Sequence, residues 1–355
     1  MSRYDVAIVG AGMAGAGLAA ALAGEARVLL LEAEDRPGYH STGRSAAFWS
    51  ETYGGPLIQP LTTASRAALA PFLSQRGCIH LADSAGTAAL AVLTTEFAGS
   101  EVPLETLGRA ALEVRLPGLR LGWDNGLAEP TCADIDVAAL HAACLRAARA
   151  ELVLGARLLG AERGDGGWRL ETTAGPFEAE ILVNAAGAWA DEAAHLAGET
   201  PLGIQPYRRT IAQLRVEPQV AADLPLIVDA LGRFYFKPEA GGRLWLSPHD
   251  ETASDPCDCA PEELDVAIAI DRLEQVVDWR VAAVEHKWAG LRSFAPDRLP
   301  VYGFSPSGRG FFWCAGQGGF GIQTAPAASA LAAGLLLGRP AGGIDPSPYS
   351  AGRFA

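Results

Sequence analysis

The chain has 355 residues, 49% of them hydrophobic and 19% charged, a balance that supports a buried core and leaves no tract with the composition of a disordered segment. Beyond about 250–300 residues a single core usually divides, so two domains are expected. The 28 Lys and Arg against 41 Asp and Glu give a net charge of −13, and the basic residues gather on no periodic face, which argues against nucleic acid and anionic membrane as partners.

Residues 4–9 form a short apolar, β-branched run, which predicts a strand buried on both faces. Gly10-Ala11-Gly12-Met13-Ala14-Gly15 follows, then a helical segment to about residue 23 and a second strand over 26–32 that ends in an acid, Glu32. Strand, tight turn, helix and strand make a βαβ unit. Residues 56–125 are less regular, with helical pieces near 60–70 and 86–97. A helix is expected over 136–150, where Val137, Leu140, Ala143, Cys144 and Ala147 recur at helical spacing. Strands are expected at 152–160 and 168–173 around the turn GDGG, and an apolar strand at 181–190 runs into small residues. The pattern changes over 201–290, where strands at 209–216, 232–237 and 243–247 precede a helix at 261–277. That mixture predicts an antiparallel sheet inserted into the α/β unit. A last strand, glycine turn and helix lie within 310–338. The apolar run at 325–338 is too short to cross a bilayer. The glycine-rich run after Arg3 is read as the βαβ unit, not a secretion signal. Six cysteines in a chain of this size are read as reduced thiols of a cytoplasmic protein, and Cys257-Asp258-Cys259 has no second pair at metal-site spacing, so no metal is expected.

The glycine hexamer is informative because of its setting. It follows a strand, opens a helix and is followed by Glu32, 22 residues beyond Gly10. Gly10 makes the tight turn, Gly12 lets backbone approach a pyrophosphate and Gly15 permits close helix packing. The helix N-terminus supplies unpaired N–H groups to the phosphates, and Glu32 suits ribose hydroxyls while repelling a 2′-phosphate, which argues against NADP. Glycine spacing does not separate NAD from FAD. Ser41, Thr42, Arg44 and Ser45 do, because hydroxyls and a guanidinium placed there suit the second phosphate and ribityl chain of FAD.

With IVGAGMAGAG at 8–17, LLLEAEDRPGYHSTGRSAA at 29–47, LVNAAGAWAD at 182–191, WAGLRSFAPD at 288–297 and GFFWCAGQGGFGIQT at 310–324, the chain resembles the FAD-dependent amino acid oxidase and dehydrogenase family that includes glycine oxidase, sarcosine oxidase and D-amino acid dehydrogenases. Over most of its length it looks like the bacterial D-arginine dehydrogenase type. The resemblance implies a Rossmann-like α/β FAD domain made of discontinuous pieces (1–55, 126–200 and 293–345) and an inserted α+β substrate domain on a mixed or antiparallel sheet (56–125 and 201–292). It implies FAD contacts from Met13, Ala14, Ala33, Ala46, Ala47, Leu158, Ala186, Gly187, Trp189, Arg292, Gly318, Gly319, Phe320, Gly321, Ile322 and Gln323. The loop 317–323 would place backbone N–H groups near the flavin N1 and O2 edge. No cysteine follows shortly after Arg292 and Cys314 is the only later one, so the FAD is expected to be non-covalent.

By the same resemblance Arg209 and Arg292 match the family's carboxylate-binding arginines. Tyr53 and Tyr235 match tyrosines around that carboxylate and the amine, and Gly319 and Gln323 match contacts near the amine. The implied reaction is oxidative deamination of a D-amino acid, with the Cα hydride passing to flavin N5 and the imino acid hydrolysing to an oxo acid and ammonia. Electrons would go on to oxygen or to a quinone, the latter placing the protein at the inner membrane surface. Phe48 stands where the arginine-specific relative has histidine, and Cys78 where it has the acid that pairs with the substrate guanidinium. D-Arg and D-Lys are therefore expected to be poor substrates, because a buried unpaired cation costs several kcal/mol, order of magnitude. Phe48, Trp49, Cys78 and Trp245 suggest an apolar or aromatic side-chain pocket, with His80 the nearest polar alternative. His40 is read as a hydrogen-bonding loop residue, His141 and His195 as structural and Cys314 as core. Oxidation of N-methyl, imino or 2-hydroxy acids, and a flavin-binding subunit without turnover, are the competing readings. The oligomeric state is not legible in the sequence.

Overall fold

The computed structural model describes residues 3–339 and 343–354; residues 1–2 and 340–342, which the expected FAD segments include, lie outside the described residues. Among the described residues eight strands make one sheet, nine a second and three a small third. The first sheet runs Leu158–Gly164, Gly167–Thr172, Gly175–Asn184, Arg3–Val9, Val28–Leu31, Glu151–Val153, with Phe311–Ala315 also beside Gly175–Asn184 and Val301–Phe304 beyond it. Its centre is parallel, as Arg3–Val9 pairs in parallel with both Gly175–Asn184 and Val28–Leu31. Val6 and Ile8 enter one core with Leu18, Leu30 and Leu331, while Ala7 enters another with Leu29, Leu31 and Trp313. That alternation is the period-two pleat of a strand covered on both faces, which explains why its sequence reads as an unbroken apolar run. Helices Met13–Ala21, Val137–Ala148 and Ala325–Leu336 cover the first of these cores. Asp136 caps Val137–Ala148 by accepting from the Ala139 N–H at 2.9 Å.

The second sheet runs Thr252–Ala253, Gln205–Glu217, Arg243–Ser247, Tyr235–Glu239, Leu226–Asp229, Cys78–Ala82, Asn125–Glu129, Glu105–Gly108, with Arg280–Phe294 also on Gln205–Glu217. It is mixed, since Leu226–Asp229 pairs in parallel with Cys78–Ala82 and its other neighbours are antiparallel. One face buries Ala212, Leu214, Leu244, Leu246 and Phe236 beneath Val266, Ala269 and Leu273 of the helix Glu263–Val276. The other face carries Arg209, Ile211 and Tyr235 toward the first sheet. The third sheet joins Phe48–Trp49 and Leu73–Gln75 to the two sides of Ala133–Ile135.

The sequence expectations differ from this in a few places. The strand expected over 152–160 is two short strands, interrupted at Gly155, whose φ of 62° turns the chain. The strand expected over 181–190 stops at Asn184, where the Asn184 side chain donates to the Ala190 carbonyl and a 3₁₀ turn, Gly187–Trp189, begins. The longest strand, Arg280–Phe294, has no counterpart in the expected elements.

Candidate active site

The glycine turn is built by crowding. Gly10 has φ 102°, and a Cβ on it would lie 2.4 Å from the Ala185 carbonyl oxygen; one on Gly15 would lie 1.9 Å from the Gly10 oxygen. No side chain fits either place, so strand and helix can meet this closely only with glycine. Among the described residues the N–H groups of Gly12, Ala14 and Gly15 find no protein acceptor, while the Met13 N–H is taken by Thr42 Oγ1 at 2.9 Å. His141 donates from Nε2 to the Ala11 carbonyl at 2.9 Å, so this buried histidine fixes the turn from behind. Glu32 accepts from the N–H groups of Ala11 at 3.0 Å and Glu34 at 3.1 Å, which holds its carboxylate at the lip of a cleft.

That cleft has an empty volume of about 1640 Å³, counting the part open to solvent. It reaches from the glycine turn and Glu32 to Arg209, Tyr235 and Arg292, so one opening serves both the dinucleotide motif and the second sheet. Gly10, Gly12, Met13, Ala14, Glu32, Ala33, Ser41, Thr42, Arg44, Ser45, Ala46, Leu158, Ala186, Gly187, Trp189, Arg209, Tyr235, Arg292, Gly318, Gly319, Gly321 and Ile322 all border it. Gln317, at the start of the expected flavin loop, borders it as well, and so do Tyr39, His40, Ile211 and Ser293, which were not singled out from the sequence as cofactor or substrate contacts. Gly15, Ala47, Tyr53, Phe48, Trp49, Cys78, Phe320 and Gln323 are not among the residues that border it. At the far end from Glu32 the N–H groups of Gly319, Gly321 and Ile322 have no protein acceptor among the described residues. The cleft thus presents unpaired donors at both ends and an acid at one. That donor set fits a dinucleotide with a pyrophosphate at the first helix and an electron-rich ring edge at the second loop. Among the described residues no three His, Cys, Asp or Glu side chains gather as a metal ion would require, and no helix is long and apolar enough to cross a membrane.

Beside the second loop lies a cationic cluster. Arg209 is 4% exposed; its Nε donates to the Asp250 carbonyl at 2.8 Å and Nη2 approaches Glu251 at 3.4 Å, but Nη1 is buried with no partner. Burial, and next the charge of Arg292, pull its guanidinium down to about 10. Arg292 donates from Nη2 to the Tyr53 hydroxyl oxygen at 2.6 Å. Ser293, the next residue in the strand, also borders the cleft, and its hydroxyl, which alternation sends to the other face of the sheet, is likewise buried and unpartnered. Buried donors are almost always satisfied, so the orphan Nη1 of Arg209 beside Arg292 marks a place where a ligand acceptor belongs. A Cβ at Gly319 would lie 2.3 Å from the Tyr53 hydroxyl and 3.0 Å from the Arg292 guanidinium carbon, so the cluster closes only against glycine. Phe48 stands 5.2 Å from the Tyr53 ring and 6.2 Å from the Tyr235 ring.

His249 gave no sequence signal and belongs to this neighbourhood. It sits at φ 58°, bonds Gly232 through Nδ1 at 2.5 Å and packs 5.8 Å from the Tyr235 ring. Burial, followed by the charges of Arg209 and Arg292, pushes its imidazole down to about 3, so it is neutral at any ordinary pH.

Several expected contacts are corrected by their surroundings. Trp49 is fully buried, donates its indole N–H to the Thr62 carbonyl at 2.9 Å and packs with Met13, Leu69 and Ala325; strand alternation sends it to the side opposite Phe48. Gln323 spends its amide on the chain, accepting from Ser50 N–H at 3.2 Å and donating to Tyr53 carbonyl at 3.0 Å and Thr62 hydroxyl at 2.9 Å. Arg44 borders the cleft, yet its guanidinium donates to the carbonyls of Cys259 at 2.8 Å and Ala289 at 3.1 Å and to the Asp258 carboxylate. Ser41 donates to the Leu291 carbonyl at 2.6 Å. Cys78 is sealed under Phe48 with Cys132, Ile211 and Tyr235. Contact with Cys132, helped by His80, draws the Cys78 thiol down to about 6, and against the burial that opposes it the Cys78 charge lifts His80. Trp245 packs against the same cluster and bonds Gln213 at 3.0 Å. His40 bonds Glu34 at 3.0 Å, His195 is exposed and Cys314 is core.

Known proteins carry the same architecture. The chain is 31% identical over 264 residues to a glycine oxidase of Pseudomonas aeruginosa, covering 72% of this chain and 68% of that one. It is 28% identical over 379 residues to the glycine oxidase of Geobacillus kaustophilus, covering 98% and 96%. The crystal structure of glycine oxidase from Geobacillus kaustophilus superposes with a TM-score of 0.86 over 99% of both chains at 26% identity. The L-proline dehydrogenase of P. horikoshii, at 19% identity, shares the fold with a TM-score of 0.87 over 99% and 98%. The family model described as FAD dependent oxidoreductase matches residues 5–335, nearly the whole length. The chain belongs to that family, and its cofactor is FAD.

Proposed function

We propose that this protein oxidises the α-carbon of a D-amino acid with an apolar side chain, giving the imino acid that water converts to a 2-oxo acid and ammonia. The observation that carries the reading is Arg209, a buried guanidinium with one unpartnered nitrogen facing a cleft that Arg292 and Tyr53 also border or support. Two guanidiniums and two tyrosines suit a substrate carboxylate, and bidentate pairing would fix the orientation of the adjoining Cα–H. FAD, when bound, supplies the acceptor for that hydride. The chain's part is to hold the carboxylate, exclude water and favour the neutral amine. The last follows from charge: the guanidiniums of Arg209 and Arg292, which after burial are what hold His249 neutral, also disfavour an ammonium beside them, and the amine gives its proton to water.

Ile211 and Tyr235 border the cleft, and Phe48 and the buried Cys78 pack with them as one apolar cluster, which supports apolar side chains over D-Arg and D-Lys. The likeness to glycine oxidases supports a second reading, glycine or a small N-substituted glycine, for which the same carboxylate clamp would serve. In either case the first sheet is the FAD-binding unit and the second the substrate unit, with expected divisions at 1–55, 126–200 and 293–345 against 56–125 and 201–292, except that residues 126–129 belong to the strand Asn125–Glu129 of the second sheet and so move to the substrate unit. The test is an anaerobic panel of D-Phe, D-Leu, D-Met, L-Phe, glycine, sarcosine, D-Arg and a 2-hydroxy acid, read by bleaching of the flavin bands. Bleaching by D-Phe, D-Leu and D-Met and not by D-Arg is expected. Bleaching by the hydroxy acid alone would replace this reading.

A further inference from the structure

Glu129 ends the strand Asn125–Glu129 and is 0% exposed, yet none of the groups that bond it is a formal cation. One carboxylate oxygen accepts from the Glu51 N–H at 2.6 Å; the other accepts from the hydroxyls of Ser50 at 2.7 Å and Thr52 at 2.6 Å. All three donors belong to consecutive residues, the three that lead into Tyr53. From the opposite side Gln323 accepts from Ser50 N–H and donates to the Tyr53 carbonyl. The segment 50–53 is therefore gripped between a carboxylate and an amide, each in contact with backbone. Its far end delivers the Tyr53 hydroxyl to Arg292 at 2.6 Å.

Burying a carboxylate is costly, and several kcal/mol, order of magnitude, must be recovered from its hydrogen bonds. A neutral amide would be cheaper to bury but would present only one acceptor oxygen to three donors. The proton count extends the argument. Both hydroxyl protons point at Glu129, so the contact between Thr52 Oγ1 and His80 Nε2 at 3.1 Å requires His80 to carry the hydrogen on Nε2. The carboxylate thus orients Ser50, Thr52 and, through Thr52, the His80 ring.

We propose that Glu129 is the positioning residue for Tyr53, holding the segment 50–53 so that the Tyr53 hydroxyl stands against Arg292 where the substrate carboxylate binds. This rests on the reading above that the arginine and tyrosine cluster is a carboxylate site. Glu129 touches neither substrate nor cofactor; it acts through one backbone segment.

The test uses the FAD-loaded enzyme and benzoate, a carboxylate with no oxidisable Cα–H, titrated by its perturbation of the flavin spectrum alongside steady-state kinetics. Tyr53→Phe is expected to raise the benzoate Kd and the amino acid KM about tenfold, the scale of one hydrogen bond in a charged cluster. Glu129→Gln is expected to raise both by a similar factor while the kcat stays within about threefold. The double variant is expected to be no worse than Tyr53→Phe alone, because the two changes act at one point. Thr52→Val and Ser50→Ala, which keep the buried carboxylate, replace Glu129→Gln if that variant does not fold, with the same expectation. A wild-type Kd in Glu129→Gln or its replacements, beside a weakened Tyr53→Phe, overturns the positioning role alone, as does multiplication of the two effects. A wild-type Kd in Tyr53→Phe overturns the carboxylate site and the positioning role with it.

Discussion

Arg209 carries its charge under protest from its own environment. Burial, and next the charge of Arg292, pull its guanidinium down to about 10, below the ordinary arginine value, so between the two the unfolded chain holds the extra proton and the fold gains stability as pH rises; below about 10 the buried charge is a standing cost. A carboxylate that pairs with it relieves that cost. Affinity for benzoate is therefore expected to be flat from pH 7 to 9 and to fall as pH passes about 10, where Arg209 loses its proton; an affinity that holds steady to pH 11 would remove Arg209 from the site. Much of this was readable at the level of single residues, but only through resemblance: Arg209, Arg292 and Tyr53 have no distinguishing pattern of their own. His249 was not readable, because its importance lies in a left-handed backbone and two neighbouring charges brought from distant segments. Phe48 and Trp49 are both expected from sequence to line the side-chain pocket, and strand alternation sends Phe48 beside Tyr53 and Tyr235 and Trp49 into the core.

At the scale of elements, the turn at Gly10 was legible because glycine is the only residue its geometry admits. Gly10→Ala would place a methyl group in contact with the Ala185 carbonyl on a backbone that L side chains rarely adopt. The expected result is protein purified with little flavin, with a Kd for added FAD raised at least tenfold, since the unpaired N–H groups of Gly12 and Ala14 would be displaced from the pyrophosphate. Full flavin content in this variant would show that the turn tolerates a shift. The strand Arg280–Phe294 escaped sequence reading for the opposite reason. It lies against Gln205–Glu217 through register shifts at Gln213/Leu214 and Arg215/Val216, and Glu285, His286 and Lys287 are exposed or nearly so in its middle. Each shift breaks the period of two, so neither alternation nor an apolar run marks the strand.

Over the whole molecule, the two sheets are stitched at the cofactor segment. Arg44 reaches Cys259, Ala289 and Asp258, Ser41 reaches the Leu291 carbonyl, and the Trp288 indole returns a bond to the Arg44 carbonyl at 2.9 Å. Arg44→Ala leaves two carbonyls and a carboxylate without that donor, at about 1–3 kcal/mol. It is expected to lower the melting temperature of the FAD-loaded protein and to speed flavin release, measured by fluorescence of the freed cofactor. An unchanged release rate would mean the stitch is structural only. The sequence assigned Arg44 to a phosphate because guanidinium and phosphate are natural partners; that it spends itself on the other sheet depends on a chain reversal more than two hundred residues away.

The segment that carries Thr42 to the glycine turn continues without a break into Phe48 beside the two tyrosines. Cofactor grip and substrate preference are thus inherited as one piece of backbone. Transplanting this piece from a relative of different appetite would import that relative's flavin contacts too, so substrate range is free to drift here only by exchange of single side chains at its far end.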